Sequence, residues 1–218
     1  MDFLHRTWAE IDLNALEHNF KILKQKANTA KIMAVVKADA YGHSAAAVAP
    51  VLEQNGADFF AVSNIDEALF LREKGITKPI LILGYTPVNK ASDLAQHDLS
   101  QCVYSKEYAE NLSYFAKKNN IQIKIHIKLD TGMSRLGFNC KNDDLIELSD
   151  AIKSATLPNI ICEGVFTHFA VADRNEAQED GFTNKQYDLL MLKNYYMYLM
   201  YPGNDIFKCY RICVGRRI

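Results

Sequence analysis

Runs such as "PILILG" (79–84) are apolar throughout, and they recur between helix-like segments. A strand that is apolar on both faces has to be covered on both faces, as in a parallel sheet. Runs of this kind occur at 31–37, 58–63, 79–84, 101–104, 121–129 and 159–169, and a further strand, "TWAEIDL", is expected at 7–13. Helical patterns fill the intervals near 14–28, 44–55, 65–74, 87–97, 105–119, 141–154 and 175–200. Repeated β-then-α units with short links predict a parallel α/β architecture, either a doubly wound sheet or a (β/α)8 barrel. No GxGxxG follows any strand, so a dinucleotide-binding fold has no positive support.

Local signals refine the boundaries. Asn64 and Glu67 read as an N-cap and its capping partner before "IDEALFLREK". Gly75 sits where a helix C-terminus favours a left-handed residue. Ser44 reads as the N-cap of the following helix, and Pro50 is expected to kink that helix or confine it to its second half.

Charge and cysteine usage narrow the function classes. The formal net charge is −1 with both signs interspersed, which argues against an electrostatic nucleic-acid binder. No stretch is apolar enough for a transmembrane helix, and "MDFLHRTWAEIDLNALEHNF" has no apolar signal core. A cytoplasmic location is therefore expected. The five cysteines are odd in number and scattered, without a CxxC pair, and read as reduced, packed thiols. No metal site is expected.

In a parallel barrel, reactive groups gather at the C-terminal strand ends. Lys37 ends one such strand, in "AVVKADAYGH". A lysine there is either a solvated end or, when partly desolvated, an amine nucleophile toward an aldehyde such as pyridoxal phosphate (PLP). Tyr41 and Gly42 follow on a turn where a hydroxyl could meet a phosphate, or where an aromatic ring merely covers the loop. His43 reads as a polar loop residue. Lys128 ends another strand, and Arg135 follows in "KLDTGMSRLGF". A planar guanidinium suits a carboxylate or phenolate oxygen, although an ordinary surface cation fits the same pattern. His168 ends a third strand in "FTHFA", as a barrel-mouth histidine or as a ring stacked on a flat cofactor. The tripeptide "DTG" at 130–132 has no second copy and no all-β setting, which excludes an aspartic-protease reading.

These stretches together resemble the alanine racemase family of bacteria. "AVVKADAYGH" resembles its PLP-attachment signature, except that Ser44 stands where the family usually has Gly. "TWAEIDLNALEHNF", "KLDTGMSRLGF" and "EGVFTHFAVAD" are similar to three further family blocks, and the resemblance covers about residues 5–189. It implies a (β/α)8 TIM-barrel-type domain that holds PLP and interconverts L- and D-alanine for peptidoglycan precursor synthesis. By this resemblance Lys37 holds PLP covalently and serves as one of two acid/base groups. Tyr41 contacts the cofactor phosphate, and His168 lies against its ring. Arg135 contacts the substrate carboxylate, and Lys128, carboxylated in many members, orients Arg135. Family enzymes are homodimers in which a tyrosine from the partner's C-terminal β domain supplies the second base. The first strand, near 7–12, commonly joins that β domain.

The sequence departs from the family after about residue 190. Six of the eleven tyrosines lie between 187 and 210, and the family's later phosphate-binding and catalytic blocks do not occur. Six barrel strands are expected from residue 31 onward, rather than eight, with a weak strand pattern at 205–214. The expected organisation is a barrel domain over 1–189 and an atypical tail over 190–218, from a truncated or frame-disrupted racemase without the C-terminal β domain. The competing readings are a non-catalytic PLP-binding single barrel, which lacks the "KADAYGH" run, and an amino-acid racemase of broader specificity.

Overall fold

The computed structural model describes residues 7–141, 145–172 and 181–200. Helix α1 (Leu13–Ala27) is followed by β1 (Met33–Val35), a short turn α2 (Lys37–Gly42), α3 (Ala45–Gln54), β2 (Phe59–Val62) and α4 (Ile65–Glu73). Next come β3 (Ile80–Ile82), a 3-10 turn over Val88–Lys90, α5 (Ala91–Gln96), β4 (Leu99–Val103) and α6 (Lys106–Lys118). The chain then forms β5 (Ile123–Asp130), β6 (Phe138–Asn139), α7 (Ile146–Ala155), β7 (Ile160–Phe166) and α8 (Phe182–Met200).

Every strand pairing is parallel. The order runs β1-β2-β3-β4-β5, with β7 on β5 and the two-residue β6 pairing Leu129 and Asp130 at the C-terminal end of β5. The six expected barrel strands are all present. Among the described residues β1 pairs only with β2, and β7 only with β5. No β-rich second domain occurs among them.

The apolar runs are buried on both faces, which accounts for their lack of alternation. Phe60, Ile80, Ile82, Ile125 and Ile127 face the helices and pack with Leu71, Leu94 and Leu112. Met33, Phe59, Ala61, Leu81, Cys102 and Phe166 form a separate cluster on the concave, barrel-interior side. Polar ties brace that interior. Ser100 Oγ on β4 donates to Glu163 Oε2 on β7 at 2.5 Å, reaching across β5. Lys124 and His126 of β5 lie 3.6 Å from the same carboxylate. Burial pushes the Glu163 carboxyl up, but His126, Ser100 and Lys124 outweigh it and hold it below its ordinary range.

Several local expectations are corrected. Residues 7–12 form no strand, because Asp12 is the N-cap of α1 and accepts from the Asn14 and Ala15 amides at 2.9 and 3.1 Å. No described strand pairs with that segment, and Trp8 is exposed. Helix α3 runs through Pro50 from Ala45 to Gln54, because its Val48, Ala49 and Leu52 face is buried. Ser44 makes no side-chain cap. Asp39 takes that role, accepting the Ala45 amide at 2.6 Å. Cys102, Cys140 and Cys162 are free and buried, and burial raises all three thiols to about 11–12. Cys209 and Cys213 lie outside the described residues, as does the weak strand pattern at 205–214. Of the 190–218 segment, residues 190–200 continue α8, and the rest lies outside the described residues.

No described helix is long and apolar enough to cross a membrane. Among the described residues no group of three His, Cys, Asp or Glu side chains could hold a metal ion.

Candidate active site

The C-terminal strand ends bring Lys37, Lys128 and His168 to one mouth, with Arg135 on the loop after β5. Lys37 follows β1 and is half-buried. Ala38, Asp39, Ala40 and Tyr41 after it all adopt left-handed helical dihedrals, with φ between 50 and 56°. Each such non-glycine residue costs roughly 1–2 kcal/mol, so the turn persists only because its surroundings hold it. The Ala38 amide donates to Glu67 Oε1 at 3.0 Å, and the Ala40 amide to Val36 O at 2.9 Å. His43 Nδ1 lies 3.1 Å from Ala40 O, so this histidine closes the turn. Tyr41 lies on the turn and is exposed.

Lys128 is buried at the end of β5, with its ammonium 5.0 Å from the centre of the Phe166 ring. Burial lowers its pKa, and the positive charges of Arg135 and Lys37 act in the same direction. Asp130 shapes the loop that carries Arg135, accepting from the Gly132 and Ser134 amides at 3.0 and 2.9 Å.

His168 ties these groups together electrostatically. Burial lowers its pKa to about 4, and the charges of Lys128, Arg135 and Lys37 contribute. At neutral pH the imidazole is therefore an uncharged flat ring beside three cations. The folded state holds it neutral down to about 4, whereas the unfolded chain titrates near 6.5. Its contribution to stability is thus full above pH 6.5 and lost as pH falls toward 4. For a half-buried group we expect a loss of about 1–2 kcal/mol across that window after solvent screening. Urea midpoints measured through the window should show the slope, and His168→Gln should flatten it.

Sequence reasoning missed the buried polar group behind His168. Gln186 of α8 is fully buried. Its Oε1 accepts the Ala170 amide at 2.9 Å, and its Nε2 donates to His168 O at 3.2 Å and to Thr131 Oγ1 at 3.4 Å. Thr167 Oγ1 donates to Leu129 O at 2.8 Å and sits 2.9 Å from Thr131 Oγ1. These bonds fasten the end of β7 to the end of β5. The sequence signal is a lone Gln in a helical pattern, which a solvated face explains equally well.

The fold and this geometry define a class: a parallel β/α barrel, six of whose strands are described, with a cationic mouth at its C-terminal strand ends. Residues 11–192 match the family described as "Alanine racemase, N-terminal domain". Alanine racemase 1 of Clostridium acetobutylicum is 44% identical over 188 residues, which are 86% of this chain and 46% of that protein. The solved alanine racemase from Bacillus anthracis with bound L-Ala-P is 35% identical with a TM-score of 0.81, covering 94% of this chain and 51% of that one. An alanine racemase structure from Clostridium difficile 630 gives 36% identity and a TM-score of 0.80, with 94% and 55% coverage. The chain belongs to the alanine racemase family, whose N-terminal domain it carries. It spans about half the length of the curated relatives it matches.

Proposed function

We propose that this mouth holds PLP covalently through Lys37 and serves the interconversion of L- and D-alanine. The observation that carries the reading is the set of three cations around a neutral imidazole at the barrel mouth. The residues present suit the group. Tyr41 and the backbone beside Gly42 are accessible to a phosphate. The uncharged His168 ring suits a planar heteroaromatic face. Bound there, the cofactor supplies an electron sink that makes the Cα proton of an amino acid removable.

The chain's own residues do the rest. The Lys37 amine would hold the cofactor and, once displaced by the substrate's amine, take or return the Cα proton on one face. Arg135 holds the substrate carboxylate through its planar fork. Lys128, when its amine is carboxylated, presents an anion that orients Arg135 from within the barrel. Inversion also requires a second acid/base group on the opposite face, which we assign to a tyrosine of a partner chain in a homodimer. A cytoplasmic setting suits the free buried thiols.

The test is to titrate the purified chain with PLP, follow the absorbance of the bound cofactor, and assay L-alanine for racemisation and for Cα hydrogen exchange in deuterated water. Saturable binding with exchange at Cα is expected, with racemisation where a partner chain's tyrosine completes the site. Saturable binding without exchange would favour a non-catalytic carrier. Absence of binding would overturn the cofactor reading.

A further inference from the structure

We propose that Glu67 is the positioning residue for Lys37, holding the turn that follows it by clamping two neighbouring strand ends together. Sequence logic expects Glu67 to cap its own helix. The geometry gives its carboxylate a different task. Asn64 alone caps α4, accepting the Glu67 amide at 3.0 Å. The Glu67 side chain turns back toward the sheet. Oε1 accepts the Ala38 amide at 3.0 Å, one residue beyond Lys37, and Oε2 accepts the Ser63 amide at 2.7 Å, one residue beyond β2.

One carboxylate therefore joins the exits of β1 and β2. It takes over where the ladder stops, since the last bond between these exits is from the Val36 amide to Ala61 O at 2.9 Å. The bond to Ala38 fixes the first of four successive left-handed residues, and the direction of the Lys37 side chain depends on that turn. Asp39 anchors the far end through the Ala45 amide at 2.6 Å. Two carboxylates thus hold the turn at both ends, where the sequence offers no glycine before Gly42.

Only a carboxylate presents an acceptor to both amides. In Glu67→Gln one oxygen becomes an NH2 group facing an N–H donor, so one arm of the clamp is lost while size and helix position are kept. Loss of a hydrogen bond to a charged acceptor corresponds to roughly tenfold or more in an equilibrium constant.

The proposal rests on the reading of Lys37 as the cofactor lysine, and the experiment separates the two. Amide hydrogen exchange reads the clamp without any cofactor. Glu67→Gln should speed exchange by about tenfold at whichever of the Ala38 and Ser63 amides loses its acceptor, and unchanged rates at both amides would overturn the proposal. PLP titration of the same proteins reads the consequence. Glu67→Gln should weaken PLP binding by about tenfold, whereas binding equal to wild type would contradict a positioning role. Ala38→Gly provides the rescue, because glycine adopts the left-handed conformation without steric cost. Adding it to Glu67→Gln should restore most of the binding. A role confined to capping α4 predicts no rescue, and that result would also overturn the proposal. If the wild-type chain does not take PLP on Lys37, the cofactor reading fails by itself, and the exchange rates still decide the clamp.

Discussion

Lys37→Ala is expected to abolish covalent uptake of PLP and to lower Cα hydrogen exchange of alanine by about 10²–10⁴-fold, the usual share of a positioned acid/base group. The amine is carried by the residue that opens the strained turn, and alanine leaves no amine nucleophile there. The fold should survive, because Lys37 is only half-buried and the backbone bonds of its turn do not use its side chain. Thermal unfolding should therefore stay within about 0.5 kcal/mol of wild type. Lys128→Ala is the informative comparison. It removes a buried cation that lowers the His168 pKa, so the imidazole should titrate closer to its ordinary value. Covalent attachment should persist in that variant. Loss of attachment in Lys128→Ala with retention in Lys37→Ala would reverse the assignment of the two lysines.

The second large effect is expected at a glycine. Gly137→Ala should destabilise the protein by about 2–4 kcal/mol and displace the loop that carries Arg135. Gly137 has φ +130°, where side chains are strained whatever the space. A Cβ there would lie 2.9 Å from both Asp130 N and Lys128 O, and 3.1 Å from Leu129 C. All three are backbone atoms of β5, which cannot turn aside as a flexible side chain would. Relief requires β6 to move off β5, and that weakens the 3.0 Å bond from the Cys140 amide to Asp130 O. Gly75→Ala is the control, since Gly75 also has positive φ (+85°) but faces open space. It should cost only about 1 kcal/mol. Urea denaturation of both variants checks the ranking, and equal costs would refute the close-approach explanation.

The parts of the fold that were legible in the sequence are those set by burial. Phe60, Ile80 and Ile82 face helices while Met33, Phe59 and Leu81 face the barrel interior, so two-sided apolar runs marked the strands well. Lys37, Lys128 and His168 were legible as strand-end residues, and topology alone then brings them together. The turn after Lys37 was not legible. Ala38, Ala40 and Tyr41 have no intrinsic preference for left-handed dihedrals, and the conformation is held by Glu67 of α4 and by the Ala45 amide, which donates to Asp39 within the turn. The same reason hid the capping exchange between Ser44 and Asp39. The expected strand at 7–13 failed because pairing needs a partner, whereas the Asp12 cap needs only the two amides that follow it. Gln186 was hidden because polarity in a helix ordinarily signals solvent, and here its partners are Ala170, His168 and Thr131.

The most direct measurement is to reduce the PLP-loaded chain with borohydride, digest it, and locate the pyridoxyl group by mass spectrometry. The account predicts that the group sits on Lys37, within the peptide that contains the left-handed turn. A group on Lys128 or any other lysine, or no attached group after saturation with PLP, would contradict it.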